Sequence, residues 1–181
     1  MPVYISMLRG INVGGHNKVP MNQLRAMCEP LGFEKVRTFI QSGNVVFEAG
    51  KCDPSDLSLK IEKKILSEFG FPVSVITRTP EEMEQTIRHL PFVKESKSEP
   101  GKVYVGFLSV LPNDEALKKL LGLATPTEQV SYRGREVYLY YRNGMGQARK
   151  LTVNAVERTL QVTATTRNWN TVTKLYAMTV E

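Results

Sequence analysis

The sequence predicts an α+β fold made of two tandem ferredoxin-like subdomains with antiparallel sheets. Strand-like and helix-like segments alternate in the order β-α-β-β-α-β-α, and that order occurs twice. The first six elements of each set match the split βαβ arrangement, in which right-handed crossovers lay the helices on one face of a four-stranded sheet. Between the two sets lies PFVKESKSEPGK (91–102), a polar and proline-bounded segment that reads as a linker. The expected division is therefore 1–91, a linker at 92–102, and 103–181, with the trailing helix of each half covering a sheet face or cementing an interface.

Each element has a local reason. VYISML is an apolar run suited to a strand, and a helix is expected from Pro20, with Met21, Leu24, Met27, Cys28 and Leu31 at helical spacing and Gly32 as its stop. VRTFI (36–40) and NVVFE (44–48) flank a Gln-Ser-Gly-Asn turn, which reads as a hairpin. Asp53-Pro54 opens a second helix carrying Leu57, Ile61, Ile65 and Phe69, and VSVIT (73–77) supplies the fourth strand. Thr79-Pro-Glu-Glu82 is a capping box for a third helix. In the second half, VYVGFLSV (103–110), QVSYR (129–133), EVYLYY (136–141) and VTATT (162–166) read as strands. Helices are expected at 113–121, around Val153, Val156 and Leu160, and in the final RNWNTVTKLYAM.

Composition narrows the function class. With 41% apolar and 23% charged residues in 181, the chain can bury a globular core. It has neither an apolar run of membrane-spanning length nor a signal-peptide pattern, so a soluble cytoplasmic protein is expected. The net charge of +6 favours an anionic partner, either a small molecule or nucleic acid. Cys28 and Cys52 have no metal-ligand spacing to each other or to His16 and His89. Neither metal nor cofactor is implied, and a monomer is assumed.

The segment LRGINVGGHNK (8–18) concentrates the unusual residues. Gly10, Gly14 and Gly15 permit positive φ, Asn12 and Asn17 can bond nearby backbone, and Arg9, His16 and Lys18 add charge or a titratable ring. A strand, a glycine-rich loop and a helix start can cradle an anion, although the spacing matches neither the Rossmann nor the P-loop fingerprint. A second basic glycine loop, RNGMGQARK (142–150), also precedes a helix. If the subdomains aligned these two ends, Arg9, Lys18, Arg142, Arg149 and Lys150 would surround two such loops. The central strands, first and third in each half, are expected to run parallel. That places loop 8–18 at the opposite sheet end from the Gln-Ser-Gly-Asn turn, and loop 142–150 opposite Arg167-Asn168-Trp169.

LRGINVGGHNKVPM, RTFIQSGNVVFE and TATTRNWNTVTKL together resemble the signature segments of a bacterial family, Domain of Unknown Function sixteen-ninety-seven. Arg9, Gly10, Asn12, Gly14, Gly15, Asn17 and Lys18 match its opening pattern, Ser42, Gly43 and Asn44 its hairpin. Thr166, Arg167, Asn168, Trp169, Thr171 and Lys174 match its tail. The resemblance implies a cytoplasmic protein of two ferredoxin-like subdomains and no established substrate, cofactor or catalytic residue.

Three functions are consistent with the sequence. The leading one is binding of an anionic, phosphate-containing ligand by Arg9, Gly10, Asn12, Gly14, Gly15, Asn17 and Lys18, with Arg142 and Lys150 contributing. Arg167, Asn168, Trp169 and Lys174 are secondary candidates, since a guanidinium beside an indole can stack a base or simply pack in a core. The second function is single-stranded RNA binding across a sheet face; Arg135, Val137 and Leu139 share one face, so Tyr138 and Tyr140 fall on the other and miss the aromatic positions of an RNA recognition motif. The third is a small-molecule enzyme with His16 as general base.

Overall fold

A computed structural model describes residues 1–181 and holds two four-stranded antiparallel sheets and seven α-helices. The first sheet is built from β1 (Val3–Leu8), β2 (Glu34–Phe39), β3 (Asn44–Glu48) and β4 (Val75–Arg78), in the order β2-β3-β1-β4. The second is built from β5 (Val103–Leu108), β6 (Glu128–Arg133), β7 (Glu136–Tyr141) and β8 (Ala164–Asn168), in the order β6-β7-β5-β8. The helices are α1 (Met21–Cys28), α2 (Pro54–Phe69), α3 (Pro80–Arg88), α4 (Val93–Ser98), α5 (Asp114–Leu121), α6 (Val153–Leu160) and α7 (Trp169–Thr179). The chain divides into two compact units, Met1–Glu84 with Leu175–Glu181, and Gln85–Lys174.

In the first unit, alternation along the strands turns Tyr4, Leu8, Val45, Phe47 and Val75 toward Leu24, Cys28, Leu57, Ile61 and Ile65 of α1 and α2. Burial on that side pushes the Cys28 thiol up to about 12, so it behaves as a small core hydrophobe. Three hydroxyls cross the same interior as a chain, Ser6 to Thr77 at 2.7 Å and Ser58 to Thr77 at 2.8 Å. In the second unit, Leu108, Val137, Leu139 and Tyr141 pack with Leu117 and Leu120 of α5 and Val156 and Leu160 of α6.

The structure corrects the expected strand directions. β1 and β3 are antiparallel neighbours, with Met7 opposite Asn44 and Val3 opposite Glu48. The end of β1 therefore meets the start of β3, and loop 8–18 shares a sheet end with the Gln-Ser-Gly-Asn turn. In the second unit β7 and β8 are both antiparallel to β5, with Tyr104 opposite Leu139 on one side and Asn168 on the other. Loop 142–150 and Arg167-Asn168-Trp169 thus also leave the same sheet end. A βαβ crossover makes the first and second strands parallel, and the hairpin then reverses the third; the expectation misplaced that reversal.

Smaller differences are local. The segment expected as a linker contains α4 and a 3-10 turn at Pro100–Lys102. Within the second unit, Tyr140 on the β5–β7 sheet is 5.9 Å from Phe92, centroid to centroid, and donates to Glu99 Oε2 at 2.8 Å. Pro20 stands at the N-cap of α1 rather than at its first helical position. The Thr79 capping box forms as expected: Thr79 N–H donates to Glu82 Oε2 at 2.9 Å, and Glu82 N–H to Thr79 Oγ1 at 3.1 Å.

Candidate functional site

Loop 8–18 is a small hairpin of its own. Leu8 N–H donates to Gly43 O at 2.8 Å and Arg9 N–H to Ser74 O at 2.9 Å, so the chain leaves β1 held on both sides. Ile11 and Val19 are buried and pin the two legs to the core. Asn12 N–H bonds Asn17 O at 3.1 Å and His16 N–H bonds Val13 O at 2.9 Å. Gly14 and Gly15 form the tip with φ of 57° and 77°, the two positive values that a tight type I′ turn demands.

Asn12 joins this hairpin to its neighbour. Its own φ is 56°, a value that asparagine tolerates better than most residues. The side chain donates to Val19 O at 2.9 Å and Gln41 O at 2.8 Å, and accepts from Val19 N–H at 2.8 Å. The turn at 40–43 is fixed independently by Asn44, fully buried, whose amide donates to Phe39 O at 2.9 Å and Ser42 Oγ at 3.1 Å. Gly43, with φ of 87°, lies under Ile11; a Cβ there would sit 2.5 Å from Ile11 Cδ1 and 3.0 Å from Leu8 Cβ. Only glycine lets the two loops close together.

Between them lies a depression of about 630 Å³ lined by Asn12, Gly15, Lys18, Pro20, Met21, Asn22 and Gln41. Three of the residues expected in a ligand site, Asn12, Gly15 and Lys18, line it. Gly10, Gly14 and Asn17 shape the loop instead, Asn17 through a 3.4 Å bond to Gly10 O, and Arg9 lies at its base, exposed. His16 is exposed beside the tip, and no side-chain hydrogen bond orients its imidazole. Pro20, Met21, Asn22 and Gln41 complete the lining, although the sequence marks Pro20 and Met21 only as a helix start and Gln41 only as part of a turn.

The helix start at this depression has an unusual feature. No side chain caps α1 and no acidic residue occupies its first turn, so the N–H groups of Met21, Asn22 and Gln23 precede the first intrahelical bond, Leu24 N–H to Pro20 O at 2.9 Å. By contrast α2, α5, α6 and α7 are capped by Asp53, Asn113, Thr152 and Asn168, α3 by its capping box, and the short α4, also uncapped, has Glu95 in its first turn. An uncapped start without a carboxylate keeps its partial positive charge available. That signal could have been read from Val-Pro-Met-Asn, which offers no Ser, Thr or Asp at the cap.

In the second unit, loop 142–150 meets an anion from its own chain. Glu128, buried on β6, accepts from the N–H groups of Arg149 (3.1 Å), Lys150 (3.0 Å) and Leu151 (2.8 Å). Burial works to raise its pKa, but the three donors and the charge of Lys150 outweigh it and hold the carboxyl below the usual range. The side chains of Arg142, Arg149 and Lys150 are exposed.

The tail residues are mostly structural. Arg167 is buried on β8 and donates to Thr165 Oγ1 at 2.7 Å and Thr166 O at 3.0 Å; burial lowers its pKa to about 10, so it stays charged at neutral pH. Asn168 caps α7, and Trp169, buried, is its first residue. Because Arg167 lies on the strand, it shares no helix face with Lys174, which is exposed. Tyr138 and Tyr140 are also buried, and the Tyr138 hydroxyl donates to Thr86 O at 2.7 Å.

The family model described as "Protein of unknown function (DUF1697)" matches residues 1–138, and the chain belongs to that family. The matched part contains the loop, the hairpin and the helix start; the Thr-Arg-Asn-Trp tail falls outside it. A solved structure, that of the conserved bacterial protein SP0830 from Streptococcus pneumoniae, is similar with a TM-score of 0.76 and 23% identity over 98% of each chain. At that identity the likeness is one of fold. No curated protein matches the chain.

Proposed function

We propose that this member of the family binds an anionic, phosphate-bearing small molecule in the depression between loop 8–18 and the β2–β3 turn. The observation that carries the reading is the uncapped, acid-free start of α1 opening beside Lys18, Asn22 and Gln41. In this reading the N–H groups of α1 and Gly15 hold the phosphate oxygens. Lys18 supplies charge, and Asn12 holds the two loops at a fixed separation. We further infer that each half is a ferredoxin-like unit, which gives an internal control. The helix after the first strand of the second unit, α5, is capped by Asn113 at 2.7 Å, where α1 has no cap. Binding is favoured over catalysis by His16, which lacks an orienting partner. It is also favoured over base stacking on the sheet, because Tyr138 and Tyr140 are buried with bonded hydroxyls.

Isothermal titration with pyrophosphate, ribose 5-phosphate and adenosine monophosphate tests this. At least one should bind saturably, and Lys18→Ala should weaken it by roughly tenfold, the loss of one charge-assisted contact. Heat signals absent for all three, or unchanged in Lys18→Ala, would refute the assignment.

A further inference from the structure

Four strands form the edges of the two sheets, and three of them are protected. β2 is bulged between Glu34 and Arg37, and Lys35 there has φ of 50°. β4 has four residues, all buried, and β8 five, of which Ala164, Thr165 and Arg167 are buried. β6 differs: it pairs with β7 without interruption from Glu128 opposite Tyr141 to Arg133 opposite Glu136, and has neither proline nor lysine.

Its free side can be read from the hydrogen-bond alternation. Arg142 N–H donates to Thr127 O at 2.9 Å, so Gln129, Ser131 and Arg133 bond toward β7 while Val130 and Tyr132 turn their N–H and C=O groups outward. The outward pair of Glu128 is closed on Thr125, at 2.8 and 3.3 Å. Tyr132 is 40% exposed. Cations stand at both ends of this edge. Exposed Arg133 ends the strand, and exposed Arg142, Arg149 and Lys150 gather at its start, the last two through their backbone bonds to Glu128. The strand's one carboxylate, Glu128, is buried against those N–H groups.

We propose that β6 is the docking edge for an acidic segment of a partner protein, which adds as a further strand with carboxylates against Arg133 at one end and Arg142, Arg149 and Lys150 at the other. The outward groups of Val130 and Tyr132 require alternating acceptors and donors, which a polypeptide strand supplies and a polyphosphate chain does not. A second copy of β6 fits poorly, because antiparallel self-pairing brings Arg133 of each copy against the other's Arg142, Arg149 and Lys150. The charges also fix the register that bare backbone pairing leaves loose.

The test uses the full chain and a fluorescein-labelled peptide, Glu-Val-Thr-Val-Thr-Glu, beside a counterpart with lysine at both ends. Saturable anisotropy is expected for the acidic peptide alone, with amide shifts centred on Val130 and Tyr132. Arg133→Glu, and Arg149→Glu combined with Lys150→Glu, should each weaken it by about tenfold. Tyr132→Pro, which removes one outward donor, should do so as well; if that variant fails to fold, the charge reversals decide. Equal binding of the lysine peptide, shifts confined to other strands, or no saturation by about 1 mM would overturn the proposal. So would concentration-dependent shifts of the β6 amides without peptide, which would assign the edge to a second copy.

Discussion

Ile40 occupies a left-handed conformation, φ 52°, while the residue is 47% exposed. A β-branched residue strained there gains little burial in return. The turn tolerates it because Asn44 and Asn12 hold the neighbouring carbonyls of Phe39 and Gln41. Replacing Ile40 with asparagine, which accepts this conformation, should stabilise the protein by about 1 kcal/mol in urea denaturation. Little of this was readable at the residue scale. Asn12 could be recognised as a loop residue bonding Val19 on the other leg of its own hairpin, but its partner Gln41 meets it only because β1 and β3 run antiparallel. Taking those strands as parallel separated the two halves of the site.

At the scale of elements, periodicity and end signals were enough for most helices. Asp53, Thr79 and Asn113 cap where the sequence places helix starts, and Gly32 and Gly70 adopt the left-handed conformation that ends them. The short α4 escaped because VKESKS has a single apolar residue, the exposed Val93, and so carries no apolar stripe. At the end of loop 142–150, backbone N–H groups that the sequence suggests for an external anion are taken by Glu128, more than twenty residues upstream by the hydrogen-bond pattern. That pairing has a pH signature. The folded pKa of Glu128 lies below its unfolded value, so its contribution is present above the ordinary carboxylate range and is lost as pH falls through the folded value. Glu128→Gln should lower the thermal midpoint at neutral pH and flatten its decline between about pH 5 and 3; parallel pH profiles for the two proteins would contradict the clamp.

Across the whole molecule, the two units repeat one another's bonding. Leu8 N–H to Gly43 O is matched by Leu108 N–H to Arg135 O, and Arg9 N–H to Ser74 O by Ser109 N–H to Thr163 O. Buried Arg78 faces Ile5 as buried Arg167 faces Val105. What differs is the connection after the first strand. In one unit it is a glycine hairpin ending at an uncapped helix, in the other a shorter loop closed by Asn113. No helix is long and apolar enough to cross a membrane. Nitrogen–proton NMR of the wild type and of Pro20→Asp, titrated with pyrophosphate, tests the central claim most directly. An aspartate cap brings its own carboxylate to the α1 N–H groups. Its gain of about 0.5–2 kcal/mol is offset by the lost rigidity of proline, so stability should hold within about 1 kcal/mol. The account predicts saturable shifts at Gly15, Lys18, Met21 and Asn22 in the wild type and their loss in the folded variant. Unperturbed amides in the wild type, or equal shifts in both proteins, would contradict it.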